Sequence, residues 1–147
     1  MNQKFWKNKN VLVTGVNGFI GGNLTKVLIG EGANVFGLIR NIDQQTFLSF
    51  EEISEQVVLV QGDLVDKTLM ERIISEENIN VVYHLAAQVG VGVGLQNPYL
   101  TFETNIRGTY TLLEAVRQYS KNIESIVIAS SDKAYGSYDI SQMPYKE

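Results

Sequence analysis

Cysteine is absent from the 147-residue chain, and histidine and tryptophan occur once each. Without a thiol there is no disulfide scaffold, no thiolate nucleophile and no thiolate zinc site. A lone imidazole, His84, cannot build a histidine-rich metal centre. Proline is scarce, 2 residues against 13 glycines, which excludes collagen-like and proline-rich low-complexity chains. Positive charge is short as well: 12 Lys and Arg face 16 Asp and Glu, a net charge of −4. With no basic stripe, a phosphate-backbone partner has no electrostatic footprint, so no nucleic acid is expected. No run approaches the roughly 20 apolar residues of a membrane span. The start, Met1-Asn2-Gln3-Lys4-Phe5-Trp6-Lys7, lacks the apolar core of a secretion signal. These absences predict a soluble, cytoplasmic protein that makes no membrane contact.

What remains is an ordinary globular composition, 44% hydrophobic and 19% charged, in a chain long enough for one domain with a real core. Short apolar runs alternate with helical periods. Asn10–Thr14, Asn34–Ile39, Val57–Val60, Val81–Leu85 and Glu124–Ala129 read as strands, apolar along their whole length. Ile20, Leu24, Val27 and Leu28 share one helical face, as do Leu69, Met70, Ile73 and Ile74. A third helix is expected from Pro98 to Tyr119, through Phe102, Ile106, Leu113 and Val116. Residues 41–56 suit a short helix at Phe47, Phe50 and Ile53 or a surface loop. Uninterrupted apolar strands separated by helices predict a parallel sheet covered on both faces, the doubly wound α/β class.

Between the first strand and the first helix stands Thr14-Gly15-Val16-Asn17-Gly18-Phe19-Ile20-Gly21. A dinucleotide's pyrophosphate needs a tight turn, a backbone it can approach, and close helix–strand packing, at the positive end of a helix. Gly15, Gly18 and Gly21 can supply these, although a glycine triplet is by itself only a tight βα turn; its place after a strand and before a helix turns the reading to dinucleotide binding. Ribose recognition belongs at the end of the second strand, Leu38-Ile39-Arg40-Asn41, where no acid stands. Arg40 points to NADP, a solvated arginine reads as well, and Asp43 is within reach of a ribose, so NAD or NADP stays open. Asp63, after the third strand in Gly62-Asp63-Leu64, could accept from an adenine amino group or simply make a turn. His84 reads as a core histidine without a functional role.

Taken in order, Val-Thr-Gly-Val-Asn-Gly-Phe-Ile-Gly (13–21), Gly-Asp-Leu (62–64), His-Leu-Ala-Ala-Gln (84–88), Thr-Asn-Ile-Arg-Gly-Thr (104–109) and Ser-Ser-Asp-Lys-Ala-Tyr-Gly (130–136) resemble the extended short-chain dehydrogenase/reductases, the NAD(P)-dependent nucleotide-sugar epimerases and dehydratases. The resemblance implies a Rossmann fold over residues 1–147. It implies cofactor contacts at Gly15, Asn17, Gly18, Phe19, Ile20, Gly21, Arg40, Asp63, Leu64, Leu85, Ala86, Ala87 and Asn105, and a substrate contact at Gln88. Ser131-Asp132-Lys133 most resembles the CDP-glucose 4,6-dehydratases, which leans to NAD. Val35–Arg40 is more like the GDP-mannose 4,6-dehydratases, which use NADP.

The resemblance implies a cycle in which the oxidised cofactor takes hydride from sugar C4, water leaves the sugar across C5 and C6, and the same hydride returns to C6. The resemblance gives Ser131 the C4 oxygen and makes Asp132 and Lys133 the acid/base candidates for elimination; a surface ion pair is the plainer reading of those two. A sugar 4-epimerase or reductase of the same family is the near alternative, and a non-catalytic dinucleotide-binding module the alternative from another class. In the family the catalytic base is a tyrosine four residues before a lysine, whose charge lowers the phenol pKa. None of the seven tyrosines here has a lysine at that offset, and Pro144-Tyr145-Lys146-Glu147 looks like the family's Pro-x-x-Glu segment ahead of it. The expectation is therefore an incomplete domain, lacking the catalytic helix and the substrate domain, and inactive alone. The helix around Thr104–Thr109 has apolar residues on more than one side, among them Tyr110, Leu112, Leu113, Ala115 and Tyr119. One face must cover the sheet, and the surplus predicts a homodimer, as in family members.

Overall fold

A computed structural model describes residues 5–41, 46–136, 139 and 141, with backbone only at Asp132 and Lys133. Five strands form one sheet: β1 (Asn10–Thr14), β2 (Asn34–Ile39), β3 (Val57–Gln61), β4 (Val81–His84) and β5 (Ser125–Ile128). Their order is β3-β2-β1-β4-β5, and every neighbouring pair is parallel. The doubly wound sheet expected from the apolar runs is the one observed.

The central runs β1, β2 and β4 are apolar because successive side chains leave a strand on opposite faces and both faces are covered there. The expected cover fails at the sheet edges, where Val58 and Leu59 of β3 and Val127 and Ile128 of β5 are exposed. Along β1, Leu12 enters one layer with Phe36, Leu38, Met70, Ile73, Val82 and Leu112. Its neighbours Val11 and Val13 enter the other, with Val35, Leu28, Leu48 and Val81. The helices are α1 (Phe19–Gly30), α2 (Phe47–Phe50), α3 (Lys67–Glu76), α4 (Val91–Gln96), α5 (Pro98–Phe102) and α6 (Gly108–Tyr119). Helix α3 buries the four residues its period selects, Leu69, Met70, Ile73 and Ile74, and Asp66 caps it by accepting from the Leu69 N–H at 3.0 Å.

Two expectations are corrected. In α1 the face on the sheet is Gly21, Gly22, Thr25 and Leu28, whereas Ile20 and Val27 are exposed. The helix must approach β1 closely, and small residues permit that where branched ones do not. The helix expected from Pro98 to Tyr119 is present, but its pitch is not uniform: α5 passes into a π turn at Glu103–Arg107 before α6. Phe102 and Ile106, expected on the helix's apolar face, are both exposed. Helix α4, in the glycine-rich Val91–Gln96, was not expected at all.

Candidate functional site

Because all strands are parallel, their C-terminal ends share one edge of the sheet, and the segments that leave them are neighbours there. Gly15 follows β1, Arg40 follows β2, Asp63 lies beyond β3, Leu85–Gln88 leave β4, and Ser131 comes after β5. The chain reverses its direction of winding between β1 and β4, and a crevice outside such a switch point is where open α/β sheets take ligands.

The bend after β1 is made of backbone. Gly15 has φ +74, the left-handed region that favours glycine, and a Cβ there would stand 2.9 Å from the Ala86 nitrogen. At Gly21 a Cβ would lie 2.1 Å from the Gly15 carbonyl oxygen, so α1 rests directly on the bend. The Gly18 N–H closes the turn onto the Gly15 carbonyl at 3.0 Å. The N–H groups of Phe19, Ile20 and Gly21 have no backbone partner among the described residues. The first turn of α1 holds no acid and Gly18 supplies no side-chain cap, so its positive end is left uncompensated. Phe19 is 81% exposed and Ile20 67%; neither folds back over the bend. The arrangement can take an anion on its main-chain amides and an apolar plane beside it.

The segment after β4 is held mainly by side chains, although the Leu85 N–H also meets the Thr14 carbonyl at 3.2 Å. Thr14, at the tip of β1, accepts through Oγ1 from the Leu85 and Ala86 N–H groups at 3.2 and 3.1 Å. The same hydroxyl lies 2.7 Å from His84 Nδ1. On the other side of the ring, His84 Nε2 lies 2.9 Å from Thr109 Oγ1, which donates to the Asn105 carbonyl at 2.7 Å. Asn105 then reaches Gln88 twice: its Oδ1 accepts from the Gln88 N–H at 2.7 Å, and its Nδ2 donates to the Gln88 carbonyl at 3.1 Å. His84 is 3% exposed, and burial pushes its pKa below the ordinary 6.5.

The sequence-selected residues are therefore mostly brought to one edge. Gly15, Asn17, Gly18, Phe19, Ile20 and Gly21 form the bend, with Leu85, Ala86, Ala87, Gln88 and Asn105 beside it. Arg40 is exposed, and no carboxylate pairs with it among the described residues. Asp63 is exposed and accepts from the Val65 N–H at 3.1 Å, a local turn, while Leu64 is buried. Ser131 precedes a 3₁₀ turn at Asp132–Tyr135, joined by the Ala134 N–H to the Ser131 carbonyl at 3.0 Å. The side chains of Asp132 and Lys133, together with Asp43 and Pro144–Glu147, lie outside the described residues. Sequence reasoning missed Thr14, His84 and Thr109. The only signal was a polar residue at each of two places where apolar neighbours predict burial, and nothing in the sequence says that they meet. Among the described residues no group of three His, Cys, Asp or Glu could hold a metal ion, and no helix is long and apolar enough to cross a membrane.

Comparison with known proteins agrees with this geometry. The family model for GDP-mannose 4,6 dehydratase matches residues 12–147. The chain is 37% identical over 138 residues to CDP-glucose 4,6-dehydratase of Salmonella typhimurium, covering 92% of this chain and 38% of that protein. It is 34% identical over 139 residues to CDP-paratose 2-epimerase of Salmonella typhi, covering 93% and 40%. Among solved structures, the NAD complex of Thermus thermophilus UDP-glucose 4-epimerase superposes with a TM-score of 0.71 at 38% identity, over 83% of this chain and 37% of that one. The chain thus spans some 40% or less of the relatives named here. A family match over nearly the whole chain, on a parallel sheet with an open glycine bend at its switch point, places it: the protein belongs to the NAD-dependent epimerase/dehydratase family of extended short-chain dehydrogenase/reductases.

Proposed function

We propose that the chain is the cofactor-binding portion of a nucleotide-sugar 4,6-dehydratase, with NAD or NADP held at the bend of residues 15–21. The observation that carries the reading is that the amides of Phe19, Ile20 and Gly21, at an uncapped helix end, have no backbone partner among the described residues, beside backbone packed so closely that Gly15 and Gly21 admit no side chain. A diphosphate would lie on those amides. Leu85, Ala86 and Ala87 would border it from β4, Asp63 would meet the adenine, and Arg40 would face the ribose. The bound nicotinamide supplies a hydride acceptor for a sugar carbon. Ser131 would hold the C4 oxygen of the sugar, Asp132 and Lys133 would move protons at C5 and C6, and Gln88 would touch the substrate.

The dehydratase reading is favoured by the family model and by the 37% identity to the CDP-glucose enzyme. A 4-epimerase is the second reading, favoured by the solved NAD-bound epimerase. Tyr99, Phe102, Ile106 and Tyr110 form an exposed apolar stripe along α5, the π turn and α6 that would pack on a second copy, while Leu112 and Ala115 supply the face that covers the sheet. With no tyrosine four residues ahead of a lysine, the 147-residue chain is expected to bind cofactor without turnover, and repeated conversion of CDP-glucose or GDP-mannose by it would refute this.

Calorimetric titration of the chain with NAD and with NADP tests the cofactor reading. Binding of at least one is expected, and binding of neither would overturn it. Arg40→Ala should weaken NADP by about tenfold and leave NAD alone if the guanidinium meets a ribose phosphate. Equal effects on both would return Arg40 to solvent.

A further inference from the structure

We propose that His84 is a positioning residue whose imidazole, carrying its proton on Nε2, couples the two clamps that hold residues 85–88 beside the glycine bend. Hydrogen accounting fixes the direction of the chain. The Ala86 N–H takes one lone pair of Thr14 Oγ1 and the Leu85 N–H, shared with the Thr14 carbonyl at 3.2 Å, faces the other, so the hydroxyl's own hydrogen goes to His84 Nδ1. The hydrogen of Thr109 Oγ1 goes to the Asn105 carbonyl, so that oxygen accepts from His84 Nε2. Only one neutral tautomer satisfies both ends. An imidazole protonated on Nδ1 would leave two hydrogens between the ring and Thr14, and a charged ring would do the same.

The two arms that leave the ring end at opposite ends of one short segment, residues 85–88. Through Thr14 the relay holds the N–H groups of Leu85 and Ala86; through Thr109 and Asn105 it holds the main-chain N–H and carbonyl of Gln88. Asn105 sits within the π turn, which ends where the Gly108 N–H reaches five residues back to the Glu103 carbonyl. The widened turn and the relay belong together, because Thr109 bonds back onto the Asn105 carbonyl at its exit. An apolar ring would fill the same space but leave the Thr14 hydrogen and the Thr109 oxygen unpaired in the interior. The geometry stands without any ligand; only its consequence for affinity rests on the cofactor reading above.

Isotope-edited NMR on the 147-residue chain tests the coupling, with NAD as the probe for affinity. At neutral pH the wild type should show a protonated Nε2 and an unprotonated, hydrogen-bonded Nδ1. Thr109→Val, on the far side of the ring, should shift the Leu85 and Ala86 amide signals and lower NAD affinity about tenfold. Asp66→Ala, which removes only a distant helix cap, should move neither. His84→Gln, which keeps a donor towards Thr109, should recover part of what His84→Phe loses. A proton on Nδ1, or Leu85 and Ala86 amides that ignore Thr109→Val, would overturn the proposal. Should the wild type fail to bind NAD, the cofactor reading falls, and the tautomer and amide shifts decide this one by themselves. Should His84→Phe not fold, Thr109→Val and the wild-type tautomer are enough to support or overturn the coupling.

Discussion

The passage out of β1 and the passage out of β4 lie side by side, with Gly15 against Ala86, yet they keep their shape by different means. The first is glycine and main chain, shaped by what is missing from its α-carbons. The second is a chain of side-chain hydrogen bonds through Thr14, His84, Thr109 and Asn105, drawn from β1, β4, the π turn and α6. A backbone bend tolerates no added atoms but is indifferent to protonation. A polar relay tolerates some change of volume, yet fails when one hydrogen is misplaced. Each passage should therefore break under a treatment that spares the other.

The largest effect belongs to Gly21→Val. Its Cβ would fall 2.1 Å from the Gly15 carbonyl oxygen, and the obstacle is backbone that cannot rotate away. Separating α1 from the bend should cost about 3 kcal/mol, read from urea unfolding, and should abolish NAD binding in whatever protein still folds. The His84 tautomer should stay the same, because no link of the relay passes through α1. A variant of wild-type stability and affinity would mean that the close approach of α1 is not needed.

How far the two passages were legible follows from how they are built. Glycine spacing is local: Gly15, Gly18 and Gly21 stand within seven consecutive positions between a strand and a helix, and the bend could be read directly. The strands were legible for a related reason, since burial on both faces demands apolar residues at every position of runs such as Val11-Leu12-Val13. The relay joins Thr14 to His84 across 70 residues and His84 to Thr109 across 25. No local pattern encodes that meeting, and His84 looked like one more core residue. The face of α1 was misread because periodicity weighs large apolar residues, whereas here the small ones set the approach. The π turn left no mark either, since Thr104–Thr109 reads as continuous helix on propensity.

A smaller effect sharpens the comparison through helix ends. Helix α3 has a side-chain cap in Asp66, whereas α1 begins at Gly18 with none. Asp66→Ala should cost about 1 kcal/mol in unfolding experiments and leave NAD affinity unchanged. Gly18→Asp reverses the pattern. Gly18 has φ −81 and ψ 172, ordinary extended backbone, and a Cβ there has only the Gly15 carbonyl within 4 Å, at 3.3 Å. The new carboxylate should compensate the helix dipole with little change in stability, while its charge lowers NAD affinity by about tenfold or more. Unchanged affinity would show that no diphosphate uses the end of α1.

The smallest effect is confined to the relay and concerns pH. His84 is the sole histidine, so it is the one side chain whose ordinary pKa lies between about pH 5 and 8. Burial lowers its value in the folded protein below 6.5, and its ring nitrogens face the hydroxyls of Thr14 and Thr109. Between that lowered value and 6.5 the unfolded chain binds the proton more readily than the folded one, so stability increases with pH across the window. The contribution is complete above 6.5 and is lost as the pH falls towards the native value. Protonation also turns Nδ1 from acceptor to donor, setting it against the Thr14 hydrogen, so the β4 passage should loosen while the glycine bend does not. Melting temperatures of the wild type should decline through this window, and those of His84→Gln should decline less. Parallel decline in the two proteins would mean that the acid sensitivity arises elsewhere in the chain.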